Sequence, residues 1–173
     1  MSDANFLIPF LIIGFISFKR ETWGQALFLF LFSMALNVYL KSIFQIPLNP
    51  SLGKVGYAFP SGHMQTCTAL YGWLFWNIRN IIFRFLILII LAGIGFSMIY
   101  FGYHNLKDVL AGVGFGFVTI ILYHFIANSS IFHKKGYLLG IFMAVMMGLL
   151  MVTIHFTSKI PNHLWIGLYI IIG

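Results

Sequence analysis

Acidic side chains are almost absent from this chain, whose 173 residues include three Asp or Glu against ten Lys or Arg. Charged residues of both signs make up only 8%, where a soluble domain carries about a quarter. An ordinary water-facing surface is excluded. The formal charge is +7, but the basic residues stand singly or in pairs between apolar segments. No run of five or more exists to follow a nucleic-acid backbone, so no nucleic-acid partner is expected. The one cysteine, Cys67, excludes an internal disulfide and reads as a small buried hydrophobe. The first apolar run has no basic n-region before it, and Lys19-Arg20 follows without a small-residue cleavage pattern. No cleaved signal peptide is expected.

What the chain has in excess is apolar surface, with 61% hydrophobic and 18% aromatic residues. Backbone exposed to lipid must satisfy its own hydrogen bonds, so the fold class is all-α. Apolar segments at about 5–18, 23–43, 61–78, 81–103, 108–127 and 137–156 predict a polytopic transmembrane bundle of about six spans. The whole of 1–173 is read as one membrane domain. The first segment is short enough to thin the bilayer or to lie partly in the interface, and the tail from Leu164 to Ile172 reads as interfacial or half-inserted. Loops alternate between two faces. Side B takes Lys19, Arg20, Arg79, Arg84, Lys134 and Lys135, and side A takes Lys41, Lys54, Lys107 and Lys159. The positive-inside rule therefore makes side B cytoplasmic. Gly112, Gly114 and Gly116 recur at spacing two, which predicts easier close packing without a strict small-xxx-small seam.

The chemistry-bearing residues fall on side A. Lys41 closes the second segment, "PSGH" at Pro60 to His63 opens the third, and Tyr103 to Asp108 joins the fourth to the fifth. Pro60 suits a first helical turn, where its missing N–H costs nothing. Backbone N–H groups at Ser61 and Gly62 would then form an anion site at the positive helix end, with Gly62 letting a bulky anion approach. His63 is placed to exchange a proton with whatever the anion is attached to. His104 and Asp108 are four apart, so a helix starting near His104 would put them on one face. An Asp holding one imidazole nitrogen raises the basicity of the other, which makes His104 a candidate nucleophile or base. Asp108 is the only acid after Glu21, and an ionisable group that scarce in an apolar chain points to function.

These residues resemble the phosphatidic acid phosphatase type 2 superfamily of membrane lipid phosphatases and phosphotransferases. Its motifs are a Lys, six residues and Arg-Pro; then Pro-Ser-Gly-His; then Ser-Arg, five residues, His, three residues and Asp. The second is complete here, and the third is matched by "SMIYFGYHNLKD" with Ser97, His104 and Asp108 in register. Val109 to Gly112 also continues like the family, and the likeness covers about residues 37 to 116. Two motif arginines are replaced, by Leu48 and Met98, and Arg cannot be exchanged for an apolar residue at a phosphate without loss.

The resemblance implies a lipid-phosphate or pyrophosphate hydrolase that needs no metal or cofactor. His104 would attack phosphorus, Asp108 would orient it, and His63 would protonate the leaving oxygen. Lys41, Ser61, Gly62, Ser97 and Lys54 would hold the phosphate. The implied location is a bacterial inner membrane or its equivalent, with the site on the exoplasmic or periplasmic side. Two alternatives stay open: a headgroup phosphotransferase acting on phosphodiesters, as sphingolipid-type synthases with a similar His, His and Asp set are, and a catalytically weakened lipid-binding or transport relative.

Overall fold

A computed structural model describes residues 20–53, 56–128 and 136–157. Its helices are α1 (Arg20–Phe44), α2 (Gly62–Asn77), α3 (Ile81–Tyr100), α4 (Leu106–Ala127) and α5 (Gly136–Thr157), with a 3-10 turn at Pro50–Leu52 between the first two. The predicted first segment, the tail 164–172 and Lys54 lie outside the described residues. Among the described residues three helices, Glu21–Phe44, Ile81–Tyr100 and Leu106–Ala127, are long and apolar enough to cross a membrane. The protein is an all-helical membrane protein, and the expected count of six spans is not reached within this part of the chain.

Helix α2 is the centre of the bundle, packed against α1 and α4, with α3 also against it and α5 packed on α1. Its sequence explains the position. Met64 through Leu70 are all buried, together with Trp73 and Leu74, so the middle of the helix is covered on every side, and exposure returns only at His63 and at Trp76 and Asn77 near its two ends. Sixteen residues rise about 24 Å, less than the roughly 30 Å of a bilayer core, which neighbouring helices make tolerable. The core runs through Leu29, Leu70, Leu74, Ile87, Met147 and Ile154, and Cys67 is buried beside it as expected. Helix α3 does the opposite. Ile81, Ile82, Phe85, Leu86, Leu88 and Ile89 are all exposed, a contiguous apolar face that water would not accept and lipid does.

Glycine spacing on α4 overturns one expectation. A Cβ on Gly112 would lie 2.7 Å from the Ser61 carbonyl oxygen, and one on Gly116 2.7 Å from Thr68 Cβ, whereas Gly114 faces open space. Gly112 and Gly116 therefore do form a small-xxx-small seam, because residues four apart share a helix face while the intervening glycine points away. The seam lets α4 press directly on the first turns of α2.

The ends of α2 and α3 are tied by polar contacts that the charge pattern alone hid. Asn80 caps α3 by accepting from the N–H groups of Ile82 and Phe83. Arg84, read as a topology signal, also donates through Nε to the carbonyls of Phe75 and Ile78, at 3.1 and 2.8 Å, and lies over the Phe75 ring. It satisfies the last carbonyls of α2.

Candidate active site

Three chain segments meet at the side A end of the bundle, and local capping delivers two of them. Helix α3 ends in a Schellman turn: Gly102 takes the left-handed conformation, φ +70°, its N–H donates to Ile99, and that of Tyr103 donates to Met98. The N–H of His104 donates to the same Met98 carbonyl at 3.2 Å. The fourth segment thus stops at Tyr100, three residues short of the expected boundary, because Gly102 reverses the chain towards the site.

Helix α4 starts at Leu106 with Asn105 as N-cap, so His104 precedes the helix. The expected helix-face pairing of His104 with Asp108 is replaced by a capping box. Asp108 Oδ2 accepts from the Asn105 N–H at 2.9 Å and stands 3.7 Å from His104 Nδ1. That separation is an ion-pair distance, too long for a hydrogen bond, and His104 Nδ1 is buried with no hydrogen-bond partner. Asp108 is buried, at 6% exposure, and its carbonyl accepts the Ser61 N–H at 3.0 Å. One residue therefore caps α4, faces the histidine and ties the second motif to the third.

The second motif differs in detail from the sequence reading. Ser61, in extended conformation, is the N-cap of α2, so Pro60 lies just outside the helix and not in its first turn. The reason is that Ser61 spends its N–H on Asp108 and its carbonyl on the Gln65 N–H, which fixes the helix start at Gly62. The missing side chain of Gly62 makes room for a protein group: a Cβ there would lie 2.7 Å from Asn37 Oδ1. Ser61 is fully buried and its Oγ has no partner. His63 is exposed.

Lys41, near the end of α1, donates from Nζ to the Tyr57 carbonyl at 2.8 Å. Tyr57 belongs to a small hairpin in the α1–α2 loop, where it bridges Pro47, the Ala58 N–H meets the Ile46 carbonyl and the Leu48 N–H meets that of Gly56. Leu48, the first arginine position, packs in this hairpin with Cδ1 3.2 Å from where a Gly56 Cβ would be. Met98, the second, holds His104 through its carbonyl. Ser97 donates its Oγ to the Ile94 carbonyl of its own helix at 2.9 Å.

Lys41, His63 and Asp108 are all close enough to His104 to act on it electrostatically. His104 is held below the ordinary histidine range, first by burial and then by the Lys41 charge and by His63, with Asp108 opposing both. A neutral imidazole beside a carboxylate and an ammonium is what nucleophilic chemistry at a phosphate requires. No cluster of three or more His, Cys, Asp or Glu suited to a metal occurs among the described residues.

The sequence model of the PAP2 superfamily matches residues 23–131, which enclose all of these groups. The chain belongs to the PAP2 superfamily. It is a phosphoric ester hydrolase of the PAP2 type, a membrane lipid phosphatase by family. Phosphatidylglycerophosphatase B of Bacillus subtilis (strain 168) is 27% identical to it over 138 residues, covering 70% of this chain and 68% of that protein. The crystal structure of Aquifex aeolicus LpxE matches with a TM-score of 0.60 at 22% identity, over 70% of this chain and 77% of that one, which shows a shared fold. Reading the motifs along the sequence missed that Asn37, Gln65 and Gly112 pack at the Pro60–Ser61–Gly62 turn. The available signals were an amide in mid-helix one turn before Lys41, and glycines four apart.

Proposed function

We propose that the protein hydrolyses a lipid-linked phosphate monoester or pyrophosphate at the exoplasmic or periplasmic interface through a phosphohistidine on His104. The observation that carries this reading is the meeting of His104, Asp108, Lys41 and the N-terminus of α2 at one end of the bundle. Nδ1 of His104 faces Asp108, which leaves Nε2 to attack phosphorus. As the Nε2–P bond forms, the P–O bond to the lipid breaks, and the leaving oxygen takes its proton from His63. Water then attacks phosphorus, His63 takes the water's proton, the P–N bond breaks, and inorganic phosphate leaves. Binding draws the 3.7 Å His104–Asp108 separation into a hydrogen bond, as catalytic contacts often tighten on loading.

Lys41 and the first N–H groups of α2 supply positive potential for the phosphate oxygens. The unpartnered Oγ of Ser61 supports a ligand oxygen at this turn. Ser97, bonded within α3, and Lys54, outside the described residues, are weaker members of the phosphate set. The name of the Bacillus subtilis relative makes phosphatidylglycerol phosphate the first substrate to try. A second reading, transfer to another lipid from a phosphodiester, is favoured by Leu48 and Met98 standing where the family has arginines: less positive charge suits a less charged phosphate.

The test is release of inorganic phosphate from phosphatidylglycerol phosphate and from a phosphodiester lipid, wild type beside His104→Ala, with both proteins checked for folding. Release from the monoester by wild type alone is expected. Equal rates for the two proteins would remove His104 from the mechanism, and lipid product without free phosphate would establish transfer.

A further inference from the structure

Between α1 and α2, directly behind the phosphate-binding turn, lies a chain of buried amides. Asn37 Nδ2 donates to the Pro60 carbonyl at 3.2 Å and to Gln65 Oε1 at 2.9 Å, and Gln65 Nε2 donates to the Ser33 carbonyl at 3.4 Å. Asn37 is 5% exposed and Gln65 0%. Ser33 and Pro60 offer only carbonyls here, so both amide orientations are fixed from the ends of the chain inwards. In that orientation Asn37 Oδ1 occupies the space where a Gly62 side chain would begin. Asn37 also lies one helical turn before Lys41, on the same side of α1.

We propose that Asn37, supported by Gln65, is a positioning residue of the active site: a buried amide brace that fixes α1, and with it Lys41, against the turn Pro60–Ser61–Gly62. The proposal rests on the phosphatase reading above. It assigns Gly62 a role distinct from admitting substrate, since glycine is required there by Asn37. No other side chain supplies this pattern at this size: Leu has the volume without hydrogen bonds, and an ionised Asp has two acceptors where Pro60 and Gln65 need donors. The brace touches neither phosphate nor reacting atoms. It sets the distance between the ammonium on α1 and the amides at the start of α2, and displacements of about 1 Å in such groups cost about a hundredfold in rate.

Two measurements on the full-length protein in detergent micelles test this. With phosphatidylglycerol phosphate as probe, Asn37→Leu and Asn37→Asp are expected to lower kcat by about a hundredfold with KM within about threefold, since lipid-tail contacts are untouched. Ser33→Ala, which removes an unpartnered hydroxyl from the same interface and keeps the carbonyl that Gln65 uses, leaves both constants within about twofold. Thermal unfolding then completes a cycle of Gly62→Ala, Asn37→Ala and the double variant. Alanine at 62 must push the Asn37 amide off Pro60 and Gln65, so it is expected to lower the midpoint strongly in wild type and little in the Asn37→Ala background. Additive shifts overturn the brace, as does an Asn37→Leu protein whose kcat stays within about twofold of wild type. A wild type inactive on the probe counts against the phosphatase reading, and the unfolding cycle still decides whether Asn37 and Gly62 are coupled.

Discussion

At the scale of single residues, the pH dependence belongs to His104. Burial, Lys41 and His63 lower its proton affinity and Asp108 raises it. In the proposed mechanism the imidazole must be neutral, so the acidic limb of kcat/KM is expected below about 6.5, the ordinary histidine value. Lys41→Met removes a cation that disfavours protonation and should move that limb to higher pH. Asp108→Asn removes the opposing anion and should move it lower, while the capping bond to the Asn105 N–H is kept by the amide oxygen. A limb that moves the same way in both variants would contradict the electrostatic account. The sign for stability follows from the same depression. The unfolded chain takes up the proton first, so this contribution is complete above about 6.5 and is lost as pH falls towards the folded value. The residues of this pair were legible from their spacing. Their geometry was not, because a capping box at Asn105 competes locally with helical periodicity and won.

At the scale of elements, the approach of α4 to α2 is set by two glycines of three. Gly112→Ala and Gly116→Ala put a Cβ within 3 Å of backbone or Cβ atoms of α2, and each is expected to destabilise by roughly 1–3 kcal/mol. Gly114→Ala, facing open space, should be neutral or stabilising by up to about 1 kcal/mol, since alanine is the better helix former. Thermal unfolding of the three variants in one detergent checks this, and equal effects at all three positions would contradict the seam. Most element existence was legible, since continuous apolar character in an acid-poor chain leaves helices as the structure available. The seam and the amide brace were not. Hydrophobicity is blind to which face of a span meets protein, and Gly116 and Asn37 declare their partners only once α2 lies beside them. The end of α3 was misjudged for a related reason: aromatic residues continue past Tyr100, but Gly102 turns the backbone.

At the scale of the whole molecule, the charge asymmetry between the two faces predicts that the Lys41 end, where the proposed site lies, is exoplasmic or periplasmic. In a Cys67→Ala background, Asn105→Cys should react with an impermeant thiol reagent from outside intact cells, and Arg79→Cys only after permeabilisation. The reverse pattern would put the site at the cytoplasmic face. Family membership supports phosphate chemistry, and the central claim is that the phosphoryl group passes through His104. The most direct measurement is mass spectrometry of His63→Ala protein after a single turnover on a lipid pyrophosphate, whose leaving group needs little protonation, under a quench that preserves acid-labile phosphoramidates. The account predicts one phosphoryl group on His104, absent from His63→Ala/His104→Ala. A phosphoryl group on another residue, or phosphate release at an undiminished rate from His104→Ala, would contradict it.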